Sequence, residues 1–565
     1  MHTVDVVLLV VLLGALTGIV ARYMRAIPLP LIQIALGALL SWPRQGLHIA
    51  FDPDLFLALF IPPLLFADGW RIPKREFFAL RLPILRLALG LVLFTVLGLG
   101  ALIHWLIPDI PLSVAFALAA VVSPTDAVAV AAITRNLGMP PRTLLLLQGE
   151  SLLNDASGLV ALKFAVAATL TGAFSWPAAV REFLWLALGG LALGALLGWG
   201  FAAARDAVTR RVGDVAATQL VLLLVLLPFA AYMLADRAGV SGILAAVAAG
   251  VTTNFADLRR SAFIAERMQS EGAWTMMEAA FNGAVFLLLG LQLPSIIGGA
   301  LDAAGQRWWL PLGQAVAISL GLLGLRFIWL WLAVRGRLQR DGQRPPAMLT
   351  LCTTLAGIRG AVTLAGALSV PLLMSDGSAF PAREQLVFLA TGTILCTLVI
   401  GSIGLPLALS RLPPAGEPVV AREERQARLA ACRAAIAFLV QPARAPRDAA
   451  AEQLSQEKEA AGRLTQDYRK RIDLLDEPEA AQTPEAQAES PEAVRERRQR
   501  YLVEMELRLQ TLRIERETLY AERHAQRIND ESLRTLVAEL DLSEVALRNR
   551  VAAARRSLGL PKGPA

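Results

Sequence analysis

Glu150, Asn154 and Asp155 stand in the stretch GESLLNDASG, residues 149–158, with RTLLLLQ before it and LVALKFAVAATL after it. Those apolar flanks predict a single membrane-spanning helix from Leu144 to Thr171, which puts three polar side chains into hydrocarbon. At about 1.5 Å per residue, Asp155 lies ~17 Å along that helix, near the middle of a layer roughly 30 Å thick. An ionised side chain at such a depth costs about 2.5–3.5 kcal/mol, and residues that persist there mark ion pathways and proton relays. A carboxylate so placed can hold a proton or a hard monovalent cation, but not both at once. That makes Asp155 the central candidate for a proton- and cation-binding group.

The neighbouring polar groups divide by what each needs. Ser151, one turn before Asp155, shares its helix face and offers an oxygen ligand. Asn154 either orients Asp155 or makes a helix–helix hydrogen bond. Thr125 and Asp126 lie in VVSPTDAVAV, where Pro124 removes a backbone donor; the break predicted there frees carbonyls that can line a cavity, or the two residues simply cap it. With Asp155, Asn154 and Thr125 they form the candidate set for a monovalent cation. Glu150 needs a cation, and Arg326 in GLLGLRFIWLW needs an anion, so the two are expected to form a structural ion pair apart from the ion site. Arg359 in LAGIRGAVTLAG sits among Gly357, Gly360 and Gly366, a second break, where it is expected to compensate carbonyl ends and the Asp carboxylates. Lys163 reads as snorkelling towards the outer surface, and Asp68 in FIPPLLFADGWR as a local cap at the inner end of its span.

The elements that must hold these groups follow from composition. The chain has 565 residues, 55% hydrophobic and only 18% charged, a polytopic membrane composition. Apolar character stops near Leu412, so residues 1–411 read as a transmembrane domain and 412–565 as a charged helical tail. Thirteen spans are expected, at 4–22, 28–42, 54–69, 80–107, 112–133, 144–171, 183–204, 216–236, 239–253, 274–293, 310–333, 347–375 and 384–410. Loop charge supports that register: alternate loops carry clusters such as Arg71, Lys74, Arg75 and Arg81, or Arg335, Arg337, Arg340 and Arg344. The others hold single arginines, Arg44, Arg181, Arg237, Arg307 and Arg383. By the positive-inside rule the N-terminus is outside and the tail cytoplasmic. Spans 1–6 and 8–13 then form two inverted six-helix repeats about a connector, and their equivalent broken helices, 5 and 12, mark one site.

In the tail, residues 421–440 and 451–475 read as helices, and EPEAAQTPEAQAESPEA as a linker. Leu502, Met505, Leu509, Leu512 and Leu519 keep a coiled-coil rhythm that Arg516 interrupts; tail–tail packing in a dimer, or docking on the membrane domain, is expected.

Several functions are excluded by absence. There is no G-x-x-x-x-G-K-[ST] and no H-E-x-x-H; His2, His48, His104 and His524 form no cluster, and Asp126 and Asp155 lack a G-x-G-D context. Cys352, Cys396 and Cys432 have neither disulfide nor zinc spacing. The chain therefore reads as a transporter and not an enzyme, without a cofactor; its high isoelectric point of about 9.7 reflects loop arginines and not nucleic-acid binding. A cation channel or a proton-coupled solute symporter is the alternative that these residues leave open.

Taken in order, FIPPLLFADGW, SPTDAVAV, GESLLNDASGLV, FNGAVFLLLGLQL, the arginine of span 11 and GIRGAVTLAGAL resemble the monovalent cation:proton antiporters of the sodium/proton exchanger type, over most of residues 1–412. RINDESLRTLVAELDLSEVAL resembles the tail end of their bacterial branch. The resemblance implies a homodimer in the cell membrane, each protomer with a dimerisation domain and a mobile core in which broken helices 5 and 12 cross. It implies exchange of Na+ or K+ (or Li+) for H+, in pH and cation homeostasis, by alternating access at Asp155, Asn154, Asp126, Thr125 and Ser151, with Glu150 and Arg326 as the core bridge. Asn154 before Asp155 resembles the electroneutral members. One departure stands out: Ala127 follows Asp126 where many members have proline, and Pro124 lies upstream, which places the break slightly earlier.

Overall fold

The computed structural model describes residues 3–24, 27–42, 53–134, 137–172, 176–212, 217–256, 264–304, 309–341, 347–374, 376–412, 432–440, 461–469, 491–524 and 530–558, with Leu429 and Ile472. It separates into two compact units, Met1–Pro413 and Pro414–Ala565. Among the described residues both are helical, apart from an isolated bridge between Leu373 and Ala379.

In the first unit seven helices are long and apolar enough to cross a membrane: Glu76–Leu106, Pro141–Thr171, Val180–Arg211, Ala217–Arg237, Met268–Gly298, Trp309–Ala333 and Arg383–Leu409. The pair Leu112–Val122 and Ala127–Thr134, bent by 41°, makes an eighth, and Leu8–Ala21, Leu29–Ser41 and Gly242–Ala256 are shorter apolar helices. The stretch expected as one helix over 54–69 is two, α3 (Pro53–Leu59) and α4 (Ile61–Arg71), after α1 (Thr3–Tyr23) and α2 (Leu29–Ser41). The expected 347–375 segment also changes: its helical part ends at Leu368. Next in order come α5 (Lys74–Leu85), a π-helical turn at Arg86–Leu91, α6 (Val92–Leu106), α7 (Leu112–Val122), α8 (Ala127–Thr134) and α9 (Pro141–Thr171). Then follow α10 (Trp176–Val212), α11 (Ala217–Arg237), α12 (Gly242–Ala256), α13 (Ile264–Ala304), α14 (Trp309–Asp341), α15 (Ala347–Leu355), α16 (Ala361–Leu368) and α17 (Arg383–Leu409).

In hydrocarbon, helices associate by close packing and not by apolar burial, so small residues decide who can approach whom. Gly190, Gly194 and Gly198 recur every fourth residue on α10, and Ser241, Ala245 and Ala249 recur likewise just before and along α12. A methyl group on any of the three glycines would collide with the backbone of its partner. Gly37 on α2 meets the α13 backbone around Leu287–Leu291 in the same way. A second core unites α6, α7, α14 and α17 through Leu99, Ile103, Leu118, Ile318, Leu322, Leu386 and Leu389, all buried.

In the tail, α18 (Pro491–His524) and α19 (Asp530–Ser557) pack against one another. Residues 432–440 and 461–469 are helical too; the rest of the expected 421–440 and 451–475 helices, and the linker up to residue 490, lie outside the described residues. Three residues of the apolar rhythm of α18, Leu502, Met505 and Leu512, are buried in an antiparallel hairpin. Arg516 does not interrupt the seam, because its guanidinium bonds Asp541 at 2.6 Å and Glu544 at 2.5 Å across it. Arg555 closes the other end on Glu506 at 2.6 Å. The hydrogen bond from Arg516 is the main cause that holds the Glu544 carboxyl below its ordinary value. A depressed carboxylate contributes stability that is full at neutral pH and lost as pH falls through the lowered value. Limited proteolysis of the full chain is therefore expected to open the 491–558 hairpin on acidification below the ordinary glutamate range. Arg516→Ala should raise the cleavage rate a few-fold at most at neutral pH, since a solvent-exposed bridge contributes little; equal cleavage rates in both proteins would show that the bridge contributes nothing.

Candidate ion-binding site

Two interruptions of helix create the site. Between α7 and α8, Ser123, Pro124, Thr125 and Asp126 are non-helical, so the break lies just before Ala127; between α15 and α16, residues 357–360 are likewise non-helical. The two breaks meet, since the Asp126 backbone N–H donates to the Ile358 carbonyl at 2.8 Å. Each broken end finds a partner, as a buried backbone must. Asp126 Oδ1 caps α8 by accepting from the N–H groups of Val128 (2.9 Å) and Ala129 (3.0 Å). Arg359 is buried to 2% exposure; its Nε donates to the Val122 carbonyl at 2.7 Å and Nη2 to that of Ser123 at 3.3 Å. A third donor, Nη1, serves the Gly357 carbonyl. Its positive charge therefore lies where α7 and α15 both present carbonyl ends. Among the described residues these donors go to carbonyl ends, and Arg359 forms no ion pair with an Asp carboxylate.

A buried network ties α9 to these breaks. Arg326 on α14 grips Glu150 at two points, Nη1 to Oε1 at 2.5 Å and Nη2 to Oε2 at 2.8 Å, and its Nε donates to the Thr353 carbonyl at 3.1 Å. Thr125 Oγ1 donates to Glu150 Oε1 at 3.3 Å and accepts from Asn154 Nδ2 at 2.8 Å. Ser151 Oγ accepts from the Ala127 N–H at 3.4 Å. One turn further along α9, Ser157 Oγ donates to the Ala88 carbonyl at 2.7 Å, inside the π-helical turn. Wide turns of this kind leave carbonyls free and recur at functional sites.

Asp155 stands apart from that network. It is 6% exposed, and among the described residues its carboxylate takes part in no hydrogen bond or ion pair. It faces a cavity of about 60 Å³ lined also by Asp68, Asp126, Thr125, Ser151, Asn282 and Thr363. Such a volume holds a few waters or a partly hydrated small cation. Three carboxylates and no Lys or Arg line it, so its field favours a cation or a proton. Asn154 presents no atom to this lining; it acts through Thr125, and its Oδ1 is buried without a partner.

Asp68, Asn282 and Thr363 were not anticipated here. Among the described residues Asp68 caps no helix: it lines the cavity, and its sequence neighbour Arg71 is engaged by Glu278 at 2.6 Å and Glu271 at 3.0 Å. The signal for it was present, an acidic residue in an apolar run. Thr363 carries a subtler one. Thr353, Thr354, Thr391, Thr393 and Thr397 each donate to the carbonyl four residues back. Thr363 follows a non-helical turn, lacks that acceptor, and keeps a buried hydroxyl without a partner. Lys163, by contrast, is exposed.

The sequence profile of the family described as "Sodium/hydrogen exchanger, transmembrane" matches residues 8–411. The chain belongs to the sodium/hydrogen exchanger family. Members are transporters and not enzymes, and the exchanger described here is accordingly a multi-pass membrane protein. It is 44% identical over 556 residues to the uncharacterized Na(+)/H(+) exchanger YjcE of Escherichia coli, covering 96% of this chain and 98% of that one. It is 44% identical over 407 residues to the sodium, potassium, lithium and rubidium/H(+) antiporter of Bacillus subtilis, covering 71% of this chain and 61% of that one. In structure it is similar to the sodium proton antiporter MjNhaP1 of Methanocaldococcus jannaschii. The TM-score is 0.57 at 18% identity, over 72% of this chain and 98% of that chain, a likeness that speaks to the fold alone.

The exchanger leaves no slack at the crossing. A methyl on Gly360 would overlap the Asp126 carboxylate, with Cβ at 2.7 Å and Cγ at 2.6 Å. Gly360→Ala is therefore expected to displace Asp126 and reduce exchange by ~10-fold or more, the cost of about 1.4 kcal/mol or more at the site. Gly324→Ala, with open space around it, is the control; equal rates for both variants would show that the crossing tolerates movement.

Proposed function

We propose that the protein exchanges a monovalent cation for a proton across the cell membrane, with both competing for Asp155. The single observation that supports this most directly is the Asp155 carboxylate, buried yet without a partner among the described residues, facing a cavity of wholly acidic charge where two broken helices cross. Ser151, Thr125 and Asp126 border the same space, with Asn154 holding Thr125 in place, and oxygens of this kind suit hard cations.

Exchange is electroneutral in this reading. Asn154 is uncharged and Asp126 is committed as a helix cap, so one group, Asp155, turns over one proton for one cation. Glu150 and Arg326 brace the core, Arg359 neutralises the crossing carbonyl ends, and alternating access carries the site between the two faces. We place residues 1–411 in the transport domain as thirteen spans with two inverted repeats, the N-terminus outside, residues 412–565 in a cytoplasmic tail, and the protein in a homodimer. The Bacillus subtilis relative is named for sodium, potassium, lithium and rubidium, so all four ions belong in the test.

In sealed proteoliposomes, addition of each cation should drive proton movement in the opposite direction, at a rate unchanged by an imposed membrane potential. Proton movement with no cation dependence would overturn the exchange reading. A rate that follows the potential would overturn electroneutrality, and a steady current at fixed gradients would indicate a channel.

A further inference from the structure

A second, larger cavity lies away from the ion site. It measures about 600 Å³ and lies among α5, the π-helical turn, the start of α9, α14 and α15. Its walls are chiefly apolar, among them Leu87, Leu146, Trp329 and Leu332, and two cationic residues, Arg86 and Arg142, line it. No Asp or Glu does. Both arginines are exposed, and among the described residues neither forms an ion pair or a side-chain hydrogen bond. Thr143 and Thr350 add hydroxyls to the lining.

Depth decides what can fill such a space. The 31 residues of α9 rise about 46 Å, against a hydrocarbon layer of roughly 30 Å. Its ends therefore project past the hydrocarbon, and Arg142, the second residue of α9, stands at headgroup level, while Leu146 and Trp329 reach into the acyl region. A phosphate accepts charge-assisted hydrogen bonds from guanidinium groups. Basic pockets between spanning helices take anionic lipid headgroups on the same principle.

We infer that this cavity is a binding site for an anionic phospholipid, its phosphate held by Arg86 and Arg142 and its acyl chains lying against Leu87, Leu146, Trp329 and Leu332. The occupant lies directly behind the core ion pair. Thr353 lines the cavity, and its carbonyl accepts from Arg326 Nε. The site is separate from the cation cavity and does not depend on how exchange is assigned.

Thermal unfolding of the full chain in a neutral detergent tests it. Short-chain phosphatidylglycerol is expected to raise the midpoint by on the order of 5 °C at ~100-fold excess over its dissociation constant. Phosphatidylcholine of the same chains, and glycerol phosphate without chains, should each give less than half that shift. The Arg86→Gln/Arg142→Gln double variant should respond to phosphatidylglycerol only as wild type responds to phosphatidylcholine, while Arg81→Gln, outside the lining, keeps the full shift. Should the double variant fail to fold, Leu146→Trp, which keeps both arginines and fills the acyl space, is expected to lose the shift as well. Equal shifts from the two lipids would remove headgroup recognition, and an equal shift from glycerol phosphate would make the ligand a free anion. A shift retained in the double variant or in Leu146→Trp would move the lipid elsewhere. Any of these overturns the assignment.

Discussion

Asp155→Asn is expected to abolish cation-driven proton movement in proteoliposomes, at every pH and for every cation, without unfolding the protein. The substitution is nearly isosteric, and the carboxylate it replaces has no partner among the described residues to lose, so the fold has little to notice. The transported ions lose a buried carboxylate that has no partner among the described residues. A charge-assisted ligand is worth about 3 kcal/mol, so its removal alone weakens cation binding by ~100-fold. An amide also carries no exchangeable proton in this range, which takes away the other half of the cycle. Residual exchange at more than a few per cent of wild type would move the site to Asp68 or Asp126, the other carboxylates in the cavity. The comparison needs Asp68→Asn beside it: a fixed negative field can be weakened and still leave measurable exchange, whereas the exchanging group cannot.

The second large effect is on stability. Arg326 and Glu150 are each 1% exposed and bonded at two points. Arg326→Ala leaves the Glu150 carboxyl buried without its partner, and breaking a buried pair from one side costs about 3–5 kcal/mol. Replacing both, as Glu150→Gln with Arg326→Met, removes the unpaired charge and is expected to recover most of the stability, because a buried pair contributes little beyond its own desolvation. Unfolding midpoints in detergent for Glu150→Gln, Arg326→Met and the double complete the cycle. If the double is as unstable as the sum of the singles, the pair is not acting as a unit. Thr125 is the sensitive reporter, since its hydroxyl joins Glu150 to Asn154; singles that loosen Glu150 should also slow exchange.

Much of this site was legible in one dimension. Each polar residue in an apolar run announces a cost that something must offset, and Glu150 and Arg326 could be matched simply because each lacked a counter-charge. Pro124 and the glycines around Arg359 gave the positions of both helix breaks, since donor loss and missing side chains are local properties. The missing proline at Ala127 pointed to a break just upstream, and the helix does stop at Val122. Asp68 was misread for a local reason too. Its place near the inner end of a span suggested a cap, whereas the residues with which it shares a cavity come from distant helices. Arg516 was read as a fault in a seam for the same reason: Asp541 and Glu544, which complete it, lie on the return helix.

Sequence by itself determined the class of the protein, the residues that could not rest in hydrocarbon unpaired, and the places where helices stop. Hydropathy, charge and backbone donors are carried by each residue wherever it goes. Tertiary structure alone decided which of those residues share a space. Asp126 meets Ile358 across more than two hundred residues of chain, Asp68 joins Asp155 at one cavity, and Thr363 keeps a free hydroxyl because the turn before it is not helical. Those outcomes depend on how closely helices approach, and that distance is set by small side chains such as Gly194 against Ala245, a property of two surfaces together and of neither sequence segment alone.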